Sequence, residues 1–179
     1  MGERCPCGSR RPFAVCCGPF LAGDKVVPTA EALMRSRYTA FCKGAASYLI
    51  QTHHASTQQP DDRTAIEKTM QTVEWVNLVV LAKQKGTSRD KTGVVEFVAA
   101  CRPRQGLPLA LEAKTKQLQL SQLHERSRFV KEKGQWLYTG GDILADYVPR
   151  HSEPCWCGSG KLFKQCHEKA NSLSQKTLL

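Results

Sequence analysis

Trp75-Val-Asn-Leu-Val-Val-Leu81 is the stretch on which the fold turns. Upstream of it, apolar residues recur every three or four positions. Within and after it they come in short runs rich in branched side chains. The first spacing belongs to amphipathic helices and the second to strands. Val76, Leu78, Val79, Val80 and Leu81 therefore read as a strand, and the chain divides there into a helical half and a β half.

Moving upstream, Met34, Tyr38, Phe41, Ala45 and Tyr48 follow at steps of four, three, four and three, one face of a helix. Thr29 can cap it, Glu31 suits its first turn, and Gly44 breaks it. This predicts a helix near 30–43 and a shorter one near 45–53, with His53 and His54 at its end. Asp61 and Asp62 can open a third helix whose apolar face is Ile66, Met70 and Val73. Moving downstream, Lys85 to Gly93 is a polar loop with its turn at Asp90-Lys-Thr-Gly93, and Val94 to Cys101 is the returning strand. Residues 103–117 carry two prolines, a glycine and three Lys/Arg, and read as a long exposed loop or hairpin tip. Leu118, Leu120 and Leu123 open another strand that continues through Arg126, Arg128 and Val130. Lys133-Gly134 turns the chain into a last strand at Trp136, Leu137 and Tyr138. Helices followed by an antiparallel meander indicate an α+β fold with helices packed on one face of the sheet.

Outside this body lie two connectors, Gly18 to Pro28 and Pro149 to Pro154, and beyond each a copy of one short segment. Cys5-Pro-Cys7-Gly-Ser-Arg-Arg-Pro-Phe-Ala-Val-Cys16-Cys17 recurs 150 residues later as Cys155-Trp-Cys157-Gly-Ser-Gly-Lys-Leu-Phe-Lys-Gln-Cys166-His167. Six of the 13 positions are identical. Four thiolate or imidazole ligands in so short a span suit a tetrahedral zinc ion. The expected ligands are Cys5, Cys7, Cys16 and Cys17 at one end and Cys155, Cys157, Cys166 and His167 at the other, with two structural zinc ions. Gly8 and Gly158 permit the tight turn after each Cys-x-Cys. The adjacent pairs Cys16-Cys17 and Cys166-His167 must sit in a turn or at the start of a helix, because neighbours in a strand face apart. Phe13 and Phe163 are spaced to cover the metal's apolar side. Four protein ligands leave no position for a catalytic water. The organisation read is a knuckle at 1–20, a body at 28–148 and a knuckle at 151–170, with a polar, unpatterned tail after it.

Nine cysteines do not read as a disulfide framework: the count is odd, and Cys-x-Cys would close a strained ring. Cys42 and Cys101 lie in apolar runs and read as buried core residues. The first residues lack the apolar core of a signal peptide, and no apolar stretch is long enough to span a bilayer, so a cytoplasmic protein without membrane insertion is expected. The formal charge is +10. Seven thiolates and two zinc ions bring it to about +7. Residues 102–133 hold eight Lys/Arg against three Glu. That basic excess can attract nucleic acid, ribosomes or acidic proteins, or merely aid solubility.

The C-terminal segment, Cys155-x-Cys157-Gly-Ser-Gly-Lys-x-Phe-Lys-x-Cys166-His167, resembles the SEC-C motif, the zinc knuckle found at the end of the SecA translocation ATPase. The N-terminal copy departs from it at Arg10 and Ala14 but keeps all four ligands. The whole chain is similar to the YchJ family on Leu33-Met-Arg-Ser-Arg37-Tyr38 with Phe41, Glu74-Trp75, Glu125-Arg126-Ser-Arg128-Phe129 and Gly134-Gln-Trp136. The resemblance implies a cone-shaped middle domain of the nuclear-transport-factor-2-like kind, with helices packed into a curved antiparallel sheet. It carries no reaction.

Three functional readings stand open. In the first, a non-enzymatic adaptor presents its knuckles, the C-terminal one above all, to a protein or ribosome partner while the body holds them apart; against it stands a plain structural cap. In the second, a pocket in the cone binds a small ligand or works as an enzyme, with His53, His54, Glu74, His124 and Glu125 as polar candidates. The bland alternatives are a helix end for the histidine pair and a structural ion pair for Glu125-Arg126. In the third, the basic face binds nucleic acid.

Overall fold

Thr29 starts the longest helix as its sequence requires: its Oγ1 accepts the Ala32 N–H at 3.1 Å. Glu31 and Lys43 sit at the helix ends their charges favour, and Gly44 closes the helix at φ 73°. The structure is a computed structural model that describes residues 2–104 and 120–168. Among the described residues, the helices are α1 (Gly18–Leu21), α2 (Ala30–Lys43), α3 (Ala46–Gln51) and α4 (Asp62–Thr72). The strands are β1 (Val73–Lys85), β2 (Thr92–Pro103), β3 (Ser121–Glu132) and β4 (Gln135–Ile143). The loop read at 103–117, with Leu118, falls past Arg104 outside the described residues.

The strands form one antiparallel meander in the order β1-β2-β3-β4. Register shifts interrupt β1 between Trp75 and Asn77 and between Val80 and Ala82, and the β3–β4 pairing between Arg128 and Phe129. Bulges bend and twist the strands that carry them, so the sheet curls. β1 outruns the expected 76–81 at both ends. Lys83 to Lys85 are polar, yet they pair with Val95, Val94 and Gly93, because the ladder uses backbone groups whatever the side chains. For the same reason Val73 is the first residue of β1 and not part of the face of α4. The connector after the first knuckle is not wholly irregular either: α1 grows directly from Cys17, with Pro19 in its first turn.

Leu78, Val95, Phe97, Ala99, Phe129 and Trp136 line the concave face and pack against Leu33, Met34, Tyr38, Tyr48 and Leu49 from the helices. Val98 and Ala100 point the other way and are as deeply buried, in a second cluster with Cys155, Trp156, Cys157 and Phe163. β2 is thus covered on both sides at Phe97–Ala100, which explains why this run does not alternate.

Candidate metal centres and a concave cavity

The two repeats fold alike. The Cys5 N–H donates to the Arg11 carbonyl at 2.9 Å, and the Cys155 N–H to the Lys161 carbonyl at 2.9 Å. The Phe13 N–H reaches the Glu3 carbonyl at 2.8 Å, and the Phe163 N–H the Glu153 carbonyl at 2.8 Å. A single 3₁₀ turn, Phe13–Val15 or Phe163–Gln165, then delivers the adjacent ligand pair. Cys17 caps α1, and His167 stands in a helical turn, so each pair occupies the kind of position its adjacency demands.

Within each group the four ligand atoms lie within 4.8 Å of one another. Sγ of Cys7 is 3.6 Å from that of Cys16, and Cys16 is 4.0 Å from Cys17. Cys157 and Cys166 are 3.6 Å apart, and Nδ1 of His167 is 3.2 Å from Cys155 and 3.3 Å from Cys166. A tetrahedral ion with bonds of about 2.3 Å to sulfur and 2.0 Å to nitrogen needs edges of about 3.8 Å and 3.5 Å. These separations fit it, and they are far longer than a disulfide's 2.0 Å or so. Both groups could hold a metal ion. Electrostatics points the same way. The hydrogen bond from Cys17, then those from Ser9 and Cys5, outweigh burial and pull the Cys7 thiol down to about 4. The same Cys7–Cys17 bond, followed by burial, pushes Cys17 up. Burial pushes Cys155 up to about 11 and lowers His167, which favours the neutral form that ligates. Thiolates this crowded ionise together only around a cation.

Each knuckle is fastened to the body. Arg35 of α2 donates to the Cys7 carbonyl at 2.6 Å, and Cys5 Sγ lies 3.7 Å from Thr39 Oγ1 on the same helix. A Cβ at Gly8 would stand 2.9 Å from the Leu78 carbonyl oxygen. The C-terminal knuckle instead covers the convex face: Trp156 and Phe163 pack with Val98 and Ala100, and Asn77 Nδ2 donates to the Trp156 carbonyl at 2.8 Å. A Cβ at Gly158 would press on the Asn77 side chain. The body therefore does not hold the knuckles apart. They meet adjacent residues of β1, one from the helix side and one from the convex face. The non-alternating Phe97–Ala100 run was the sequence signal that something covers the second face.

Of the polar candidates, two converge. His53 and Glu125 line a cavity of about 470 Å³ between α2, α4 and the concave face. His54 is instead paired with Ser56 at 2.7 Å and Glu132 at 3.1 Å. Glu74 is held bidentately by Arg102 at 2.8 Å. His124 lies on the convex face, 3.2 Å from Glu96. Glu125 and Arg126 are not an ion pair: as strand neighbours they face apart, and Arg126 binds Glu96 at 2.8 Å. Cys42 and Cys101 are half-buried, not core; Cys101 Sγ rests 3.4 Å from Ser121 Oγ. Arg37, Asp62, Thr69, Trp75, Ser127 and Tyr138 add to the polar lining and were not among the sequence's site candidates. Arg37 interrupts the apolar face of α2 between Met34 and Tyr38, a charge on a core stripe that was the available clue.

Comparison with known proteins agrees with this anatomy. The family model described as YchJ, middle NTF2-like domain, matches residues 29–141, and the SEC-C motif matches residues 3–19 and 152–169. A UPF0225 protein of Photorhabdus laumondii is 41% identical over 170 residues, covering 93% of this chain and 99% of that protein. The solution structure of a SEC-C motif containing protein from Rhodopseudomonas palustris is 30% identical, with a TM-score of 0.64, over 80% of this chain and 100% of that one. The crystal structure of a SEC-C motif containing protein from Psychrobacter arcticus is 27% identical, with a TM-score of 0.61, over 93% of this chain and 96% of that one.

Proposed function

This chain belongs to the YchJ family, and we propose that it is a non-enzymatic, zinc-dependent interaction protein of the cytoplasm. Each knuckle holds one structural zinc ion, and the C-terminal one presents a basic edge to an acidic protein or ribosome surface. The observation that carries this reading is the two-sidedness of the C-terminal knuckle. Its ligands Cys155 and Cys157, with Trp156 and Phe163, are buried against the sheet, while Lys161, Lys164 and Gln165 are exposed. Metal binding supplies the folding energy of so small a unit, and docking fixes the direction in which the lysines point. Closed four-ligand sets support a structural and not a catalytic role for the ion. A reducing compartment keeps such thiols available to metal.

Metal analysis of the purified chain is expected to find two zinc ions, one lost in Cys157→Ser. Lys161→Glu with Lys164→Glu leaves every ligand and every docking residue in place. A discrete protein or ribosomal fraction retained from lysate by the wild type and lost with that variant supports the interaction reading. Equal capture by both, or none, reduces the C-terminal knuckle to a structural staple.

A further inference from the structure

The concave cavity has walls, donors and acceptors that the metal centres leave unused. Met34, Phe41, Ile66, Phe97, Leu123 and Phe129 make it largely apolar, and its volume of about 470 Å³ falls in the range of small-molecule sites. Arg37 enters from α2. Its Nη1 donates to the Leu49 carbonyl and to Thr52 Oγ1, both at 2.7 Å, and its guanidinium carbon lies 4.6 Å over the Tyr138 ring. Among the described residues, Nε and Nη2 have no acceptor, and no carboxylate comes within ion-pair distance. Among the described residues, Trp75 Nε1 is buried and has no partner. Glu125 enters from β3. Its Oε1 accepts from Ser127 Oγ at 2.5 Å and from the Tyr138 hydroxyl at 3.3 Å. Among the described residues, Oε2 has no donor, and no Lys, Arg or His pairs with this carboxylate. The carboxylate rests over Gly141 of β4, where any side chain would collide with it. The other acid, Asp62, is engaged: its Oδ2 lies 3.0 Å from His53 Nδ1 and accepts the Gln59 N–H at 3.0 Å.

We propose that this cavity binds a small, neutral, flat molecule with an apolar body and one head that both accepts and donates hydrogen bonds, as a carboxamide or lactam does. The head accepts from the free face of Arg37 and donates to Glu125 Oε2. Such a head replaces water on one open donor and one open acceptor while its body covers the apolar walls. Net charge is excluded by the same pair. An anion drawn to Arg37 is brought towards Glu125 and Asp62, and a cation drawn to Glu125 is brought towards Arg37. Aromatic walls from Phe97, Phe129 and Trp75 favour a flat body.

The test is calorimetric titration of the metal-loaded full chain with four naphthalene probes differing only in the head: 2-naphthamide, 2-naphthoate, 2-naphthylmethylammonium and 2-methylnaphthalene. The amide is expected to bind at least about tenfold more tightly than any of the other three. Glu125→Gln keeps the shape and an acceptor for Ser127 and Tyr138; it is expected to strengthen naphthoate and weaken the ammonium probe with the melting temperature held. Arg37 also braces α2 to α3, so Glu125→Gln is the deciding variant. An amide that binds no better than methylnaphthalene or the charged probes, or not at all by about 1 mM, overturns the proposal. So does an order of affinities that Glu125→Gln leaves unchanged.

Discussion

Inside, the N-terminal and C-terminal knuckles share one backbone pattern; where they meet the body, the side chains that carry the contact differ. The first stands on polar footing: a guanidinium on a carbonyl, a thiol beside Thr39, and Phe13 half-buried beside its cysteines with Lys43 Nζ 5.2 Å from its ring. The second stands on apolar footing: Trp156 and Phe163 sunk on Val98 and Ala100. The ligands and the glycine after Cys-x-Cys set the inner geometry, and those are shared. The residue between the first two ligands sets the footing, and it is Pro6 at one end and Trp156 at the other. The same motif thus becomes a brace on a helix in one place and a lid on a sheet in the other. The N-terminal brace grips α2 at Arg35 and Thr39, on either side of Arg37 in sequence, so it borders the helix that lines the cavity, whereas the C-terminal lid lies across the sheet from it.

The largest expected effect is that of ligand removal. Cys7→Ser and Cys157→Ser each forfeit a metal site worth on the order of 10 kcal/mol of local folding energy. The comparison sharpens if Cys7→Ser also loosens the cavity, read as faster amide hydrogen exchange in α2, while Cys157→Ser speeds exchange in β1 and β2 alone. Equal effects on α2 would break it.

Next come the apolar anchors. Trp156→Ala and Phe163→Ala are each expected to cost about 3–5 kcal/mol, as for buried aromatics generally. Phe13→Ala, half-exposed, is expected to cost about 1 kcal/mol. Denaturant unfolding of the zinc-loaded chain measures both; equal losses would mean that the two footings are energetically the same.

The paired glycines separate the knuckles more finely. Both hold left-handed backbone, φ 77° at Gly8 and 79° at Gly158, which costs a side chain about 1–2 kcal/mol at either place. A Cβ at Gly8 meets the Leu78 backbone oxygen, which is fixed in a strand, whereas one at Gly158 meets the Asn77 side chain, which can turn away. Gly8→Ala is therefore expected to lower the melting temperature further than Gly158→Ala does.

The smallest effect has the opposite sign. Arg10 holds φ 62° where Gly160 of the other copy holds 75°. A glycine suits that conformation and an arginine does not. Arg10→Gly is expected to stabilise the N-terminal knuckle by about 0.5–1 kcal/mol, and Gly160→Arg to cost the other knuckle a similar amount. Zinc competition with a chelator, site by site, reads the difference.

Much of this was legible in the residues themselves. The period-three-and-four stripe of Met34, Tyr38 and Phe41, the Thr29 and Gly44 caps and the change at Trp75 specify helices before a meander, because each is a local preference acting within a few residues. The eight metal-ligating candidates were legible for the same reason: their spacing closes a ring within one short turn. Footing was not. That the first knuckle grips α2 and the second covers β2 depends on which faces remain uncovered once the sheet has curled. Nor did the residues show that Glu125 faces a cavity while its neighbour Arg126 faces solvent, or that Arg37, Trp75 and Glu125 share one space. Register, bulges and the packing of helices on the concave face bring together side chains as many as 88 positions apart, and those are properties of the assembled sheet, not of any local stretch of chain.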